Sequence, residues 1–166
     1  MMARTCLLVL LAAVSLQAQV TFDRILGAER EPQNWLSYSG TLFNQRFSPL
    51  TQITAANAKN LQLQWVWQSR SLEKFEATAL VVDGVLYTVQ APNDVVALDA
   101  VTGRVFWTYS HQPAPDARTC CGRVNRGLAI LGDTLYMGTK VRSTSGSLQS
   151  ARRGNVAMSS PEANLQ

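Results

Sequence analysis

Histidine is almost missing from this chain: His111 is the only one among 166 residues. A metal centre built on several imidazoles is thereby excluded, and His111 reads as a loop residue following a strand. Cysteine is nearly as scarce. The three are Cys6, Cys120 and Cys121, and no Cys-X-X-Cys-His run occurs, which excludes a covalently held c-type haem. No amphipathic helix of useful length can be drawn, and no apolar run is long enough to span a membrane as a helix. A one-signed charge field is lacking too. The net charge is +4, yet residues 20–139 carry ten Lys/Arg against ten Asp/Glu, and the excess sits in Arg4 and the last 27 positions. With no basic patch interleaved with aromatics, the pattern argues against nucleic acid as a partner.

What the N-terminus does have is the layout of an export signal. Arg4 precedes the apolar run from Cys6 to Leu16, and the small residues Ala12, Ala13, Ser15 and Ala18 follow or interrupt it. Residues 1–19 are expected to be removed, giving a periplasmic or secreted product with no membrane span left; a buried N-terminal helix is the competing reading. Cys6 departs with the signal. The adjacent pair Cys120–Cys121 then remains in a compartment that permits disulfides.

From Val20 the chain opens on Phe22-Asp23-Arg24-Ile25-Leu26, one or two helical turns, and then on loops punctuated by Gly40 and Pro49. Thr54 is a cap candidate for a short helix before Leu61. The period then switches to two. Leu61, Leu63, Trp65 and Trp67 alternate with Gln62, Gln64 and Val66, which predicts a half-buried strand. Residues 79–82 and 85–89 flank Asp83-Gly84 as a hairpin, residues 95–99 make a third strand, and the Thr102-Gly103 turn leads into a fourth over 104–109. These make one antiparallel sheet.

That unit begins again. Residues 127–139 repeat the pattern of residues 80–88, and Tyr87 and Tyr136 stand 49 positions apart, near the length of a propeller blade. Two further strands should follow Thr139, but from Lys140 no alternation is evident, six serines occur in 27 residues, and aromatics are absent. The composition is that of a disordered tail. The expected fold is therefore all-β: about one and a half blades of four-stranded antiparallel sheet over 20–139, part of a β-propeller, with a divergent tail at 140–166.

Between the two units lies Cys120-Cys121-Gly122-Arg123-Val124-Asn125-Arg126-Gly127. Neighbouring Cα atoms are about 3.8 Å apart, against roughly 5.5–6 Å for ordinary disulfides, so an oxidised pair would close a small, rigid, flat ring. Such a ring is a platform for a planar ligand, and Arg126 offers a planar fork of donors to a carboxylate. Two reduced thiols in a loop, with Arg126 in a surface ion pair, are the plain alternative.

These residues carry a resemblance. Residues 97–109, Ala-Leu-Asp-Ala-Val-Thr-Gly-Arg-Val-Phe-Trp-Thr-Tyr, look like the tryptophan-docking motif of quinoprotein propellers, with Trp107 as the residue that packs between blades. Asn34-Trp35 through Leu50, Phe75-Glu76-Ala77-Thr78-Ala79-Leu80, and Cys120-Cys121 through Arg126-Gly127 resemble, in the same order, segments of the pyrroloquinoline-quinone (PQQ) dependent alcohol dehydrogenases. The resemblance implies a vicinal Cys120–Cys121 disulfide packed on one face of PQQ, with Glu76 and Arg126 at its polar edge. For Glu76 the plain alternative is a solvated acid beside Lys74. Two positions depart from the family: Ala79 stands where proline is usual, and Gly122 where many members have aspartate.

The resemblance further implies an eight-bladed propeller, a bound calcium, a small alcohol as substrate and a cytochrome c as electron acceptor. The family's catalytic aspartate and its calcium ligands lie beyond the second blade, so no catalytic or metal residue is carried over here. Glu162 is the single acid after Thr139, too few oxygens for a hard cation. The expectation is an N-terminal fragment with a frameshifted tail, inactive and poorly folded alone because its sheet edges stay open. A non-catalytic envelope scaffold and a product without function are the other two readings. The Cys-Cys-…-Arg loop argues against the scaffold.

Overall fold

A computed structural model of the chain describes residues 19–112 and 122–139 in full, and the backbone of 140 and 153–159. Nearly all of its regular structure is β. The expected signal, the pair Cys120–Cys121 and most of the tail lie outside the described residues.

The first sheet has the order β1-β2-β3-β4, every neighbour antiparallel: β1 Leu80–Val82, β2 Val85–Gln90, β3 Asp94–Asp99 and β4 Val105–Ser110. Its first turn is the expected one. Asp83 and Gly84 hold φ of 49° and 85°, the paired left-handed conformations of a tight hairpin whose twist suits the strands. At the β3–β4 turn the Asp99 carboxylate accepts from the Val101 and Thr102 amides at 2.8 and 2.9 Å. Those backbone donors hold its pKa below the usual aspartate value. Strands β2 and β3 are the most buried, while β4 alternates, turning Trp107 and Tyr109 toward the core and its other residues outward.

The second sheet is β5 Leu128–Leu131, β6 Thr134–Lys140 and β7 Arg153–Ser159. Strand β7 differs from the expectation that no strand follows Thr139. It pairs with β6 along its whole length, its register setting Met158 opposite Leu135 and Val156 opposite Met137. Backbone hydrogen bonds need no long alternating run, and the short Val156-Ala157-Met158 alternation is easily lost in a serine-rich composition. The two sheets share one core. Leu80, Val82, Tyr87, Val89, Val95 and Ala97 of the first meet Leu128, Ile130, Leu135 and Met137 of the second.

The N-terminal segment staples both sheets. Val20 exchanges backbone hydrogen bonds with Gly132 at 2.9 and 2.8 Å, and Trp35 does so with Val81 at 2.7 and 3.0 Å. Between these anchors α1 (Phe22–Leu26), capped by the Thr21 hydroxyl, leads into a 3-10 turn at Ala28–Arg30. Arg24 reaches Glu31 at 2.6 Å and Asp83 at 2.8 Å, while Asn34 donates to both acids and accepts from the Asp83 amide at 2.9 Å. Hydrogen bonds from Arg24 hold both carboxyls below their ordinary range.

Residues 61–67 carry no regular structure and join no ladder among the described residues, contrary to the predicted strand. Their apolar face is exposed at Leu61 and Leu63, and only Trp65 and Trp67 are half-buried. Alternation marks a chain suited to pairing, but a strand forms only where a neighbouring edge exists. Thr54 and Asn57 cap one another, yet the helix beyond is a single 3-10 turn, Ala58–Asn60.

Candidate functional site

Glu76 and Arg126 meet in space. Each lies just upstream of the first strand of its sheet, and a parallel bridge between Thr78 and Gly127 holds the two segments side by side. Gly127 has φ of 124°, and a Cβ there would stand 3.1 Å from the Thr78 carbonyl oxygen. That closeness, together with the φ, is what requires glycine. Arg126 Nε donates to Glu76 Oε2 at 3.2 Å, across 50 positions of sequence. The Arg126 side chain is 73% exposed and that of Glu76 35%. Glu76 thus pairs with Arg126 rather than with Lys74, the alternative partner drawn from the sequence.

Arg126 is engaged through Nε alone in this contact, which leaves its two Nη groups for a bidentate acceptor. The polar end of the first sheet lies nearby. Gln90, 3% exposed, accepts from Ser69 Oγ at 3.0 Å and the Arg70 amide at 2.9 Å, and donates to Asp94 at 3.0 Å. Asn125 donates to Asn93 Oδ1 and to the Gly138 carbonyl, both at 3.0 Å. The sequence marked Asn125 only as an amide within the loop; its partners, 32 and 13 positions away, gave no local signal. His111 is a loop residue after β4, as expected, its amide donating to the Asn93 carbonyl. Among the described residues no three of His, Cys, Asp and Glu stand together as a metal site.

Trp107 packs against Tyr87 with ring centroids 6.0 Å apart and joins the core shared by the two sheets. A second tryptophan, Trp65, lies on the β3–β4 turn. Its Nε1 donates to the Ala100 carbonyl at 3.3 Å, and a Cβ on Gly103, whose φ is 72°, would approach the indole to 2.5 Å. The sequence placed Trp65 on a strand and missed this docking, although Thr102-Gly103 was its visible half. A separate cavity of about 400 Å³, lined by Trp35, Gly40, Phe47 and Pro49 among others, lies along the N-terminal loops away from Glu76 and Arg126.

The model for the PQQ family, the β-propeller domain of glucose, ethanol and alcohol dehydrogenases, matches residues 35–150. The chain belongs to this family. The matched stretch runs past Thr139, the boundary drawn from composition. Among its relatives, the quinohemoprotein alcohol dehydrogenase ADH IIB of Pseudomonas putida is 43% identical over 141 residues, 82% of this chain and 20% of the relative. The quinoprotein ethanol dehydrogenase of Pseudomonas aeruginosa is 37% identical over 130 residues, 77% of this chain and 21% of the relative. The solved structure of quinohemoprotein alcohol dehydrogenase ADHIIG from Pseudomonas putida HK5 superposes with a TM-score of 0.67 at 39% identity, covering 75% of this chain and 18% of that one. A europium-containing methanol dehydrogenase gives 0.66 at 33% identity, covering 71% and 21%. The chain spans about a fifth of the length of these PQQ-family relatives. Among the described residues no helix is long and apolar enough to cross a membrane.

Proposed function

We propose that this chain carries the N-terminal part of the cofactor site of a periplasmic PQQ-dependent dehydrogenase acting on alcohols. The observation that carries the reading is the meeting of Glu76 and Arg126 at the heads of β1 and β5, on a mostly exposed arginine side chain whose Nη groups take no part in that contact. An exposed fork of two parallel donors fits a planar carboxylate, and PQQ is a flat tricarboxylate. Cys120 and Cys121, six and five positions before Arg126, would supply the flat platform as a vicinal disulfide.

When bound, PQQ supplies a two-electron acceptor for the hydride of an alcohol, and a cytochrome c takes the electrons on. The residues of this chain bind and orient. Arg126 neutralises an anionic edge through Nη1 and Nη2, and Glu76 holds Nε of the same guanidinium, so the fork keeps its aim when a ligand docks. Calcium belongs to the family reading as well, with its ligands outside this fifth of the protein. The catalytic base is likewise outside it, so the 166-residue chain alone is expected to be inactive.

Titration with PQQ tests the site. Quenching of tryptophan fluorescence should saturate, and Arg126→Ala should weaken binding about tenfold or more, the scale of a lost charge-assisted pair. Equal affinities of the two proteins would remove the reading. A separate assay with PQQ, calcium, an alcohol and an artificial electron acceptor should give no turnover, and measurable turnover would overturn the claim of inactivity.

A further inference from the structure

Asn125 uses its whole side-chain amide. Nδ2 donates to Asn93 Oδ1 and to the Gly138 carbonyl at 3.0 Å each, and Oδ1 accepts from the Gly127 amide at 3.1 Å. The three partners come from three separate pieces: the loop between β2 and β3, strand β6, and the main chain next to Arg126. Asn93 is itself 7% exposed, and its carbonyl accepts from the His111 amide at 3.3 Å. Gly127 continues the chain of contacts through its bridge to Thr78, two residues after Glu76.

The main chain on both sides of the Glu76–Arg126 pair is therefore tied through one amide that takes no part in the pair. An exposed arginine loses up to about 2 kcal/mol of rotamer freedom when it is held in a single pose. A fixed backbone at its root is the part of that aim the protein can set in advance.

We infer that Asn125, backed by Asn93, is a positioning residue for Arg126, aiming the guanidinium at a carboxylate of a PQQ-type ligand without touching that ligand. The inference rests on the cofactor reading above. A double-mutant cycle on the full chain, read by PQQ titration, tests it. Trimethylamine N-oxide would favour the compact state, and far-ultraviolet circular dichroism would check that each variant keeps its sheet signal. Arg126→Ala should weaken PQQ about tenfold or more and Asn125→Ala about three- to tenfold. In the R126A background, N125A should weaken it no further, because a residue that acts only through Arg126 has nothing left to aim.

Additive losses would overturn the inference while leaving the cofactor reading standing, since they would mean that Asn125 acts on the fold at large. An N125A protein that binds like wild type, beside a weakened R126A, would overturn it too. Equal binding by wild type and R126A would remove the cofactor reading and this inference with it. Should N125A lose its sheet signal, Asn93→Ser, which removes one of the three bonds, takes its place in the same cycle. A loss of about twofold or more, absent in the R126A background, is then the expected result; no loss, or an additive one, is the overturning result.

Discussion

Two arginines in this chain sit beside carboxylates and do opposite things. Arg24 is 17% exposed and shared between Glu31 and Asp83, with Asn34 completing the bonds of both acids. Arg126 is 73% exposed and meets one acid through one nitrogen at 3.2 Å. The first cluster closes on itself and ties the N-terminal turn to the β1–β2 hairpin. The second leaves both Nη groups out of the ion pair, on a side chain that is mostly exposed. Burial and the number of internal partners, more than the presence of an ion pair, separate a guanidinium that holds the fold from one poised for a ligand.

The contrast can be broken most forcefully at Arg24. Arg24→Ala leaves two neighbouring carboxylates without their cation, and it should cost about 2–3 kcal/mol in urea unfolding, more than an exposed pair and less than a fully buried one because Asp83 stays partly exposed. A loss below about 1 kcal/mol would mean the cluster is an ordinary surface feature. Acid should reach the same contacts from the other side. Glu31 and Asp83 have carboxyls held below their ordinary values, chiefly by Arg24. Their contribution is complete above the ordinary carboxylate range near pH 4 and is lost as pH falls through the depressed values. The acid limb of stability against pH should therefore be steeper in wild type than in R24A, and parallel limbs would contradict the assignment.

A smaller effect is expected at Gly127, the hinge of the second cluster. Gly127→Ala places a Cβ 3.1 Å from the Thr78 carbonyl oxygen at φ of 124°, which should cost about 1–3 kcal/mol. It should also part Glu76 from Arg126, so PQQ affinity should fall along with the urea midpoint. A midpoint drop with unchanged affinity would show that the Thr78–Gly127 bridge does not set the pair.

Sequence legibility followed the range of each interaction. The Asp83-Gly84 hairpin, the four strands and the second unit were readable because period-two alternation and a left-handed turn pair are local signals. Residues 61–67 carried the same alternation yet join no ladder among the described residues, since pairing depends on an edge the pattern cannot show. Strand β7 erred the other way, its alternation being too short to stand out from its composition. The Arg24 cluster was invisible, because Arg24 and Asp83 are 59 positions apart and neither sits in a motif. Arg126 stood out beside the cysteine pair and Glu76 came through resemblance alone, and the fold then brought them to 3.2 Å. Of the Asn125 tie only the bond to the Gly127 amide is local, and its two long-range partners left no mark in the sequence.

The smallest expected effect on stability is also the one that separates the two arginines most cleanly. Arg126→Ala removes a single exposed contact, so its unfolding free energy in urea should change by no more than about 0.5 kcal/mol, as for other surface pairs. The same substitution should weaken PQQ about tenfold or more. In R24A the ratio should invert, with a large loss of stability and unchanged PQQ affinity for the fraction that remains folded. A protein in which both substitutions cost stability alike would make Arg126 a second structural clamp. The open side of its guanidinium would then carry no functional meaning.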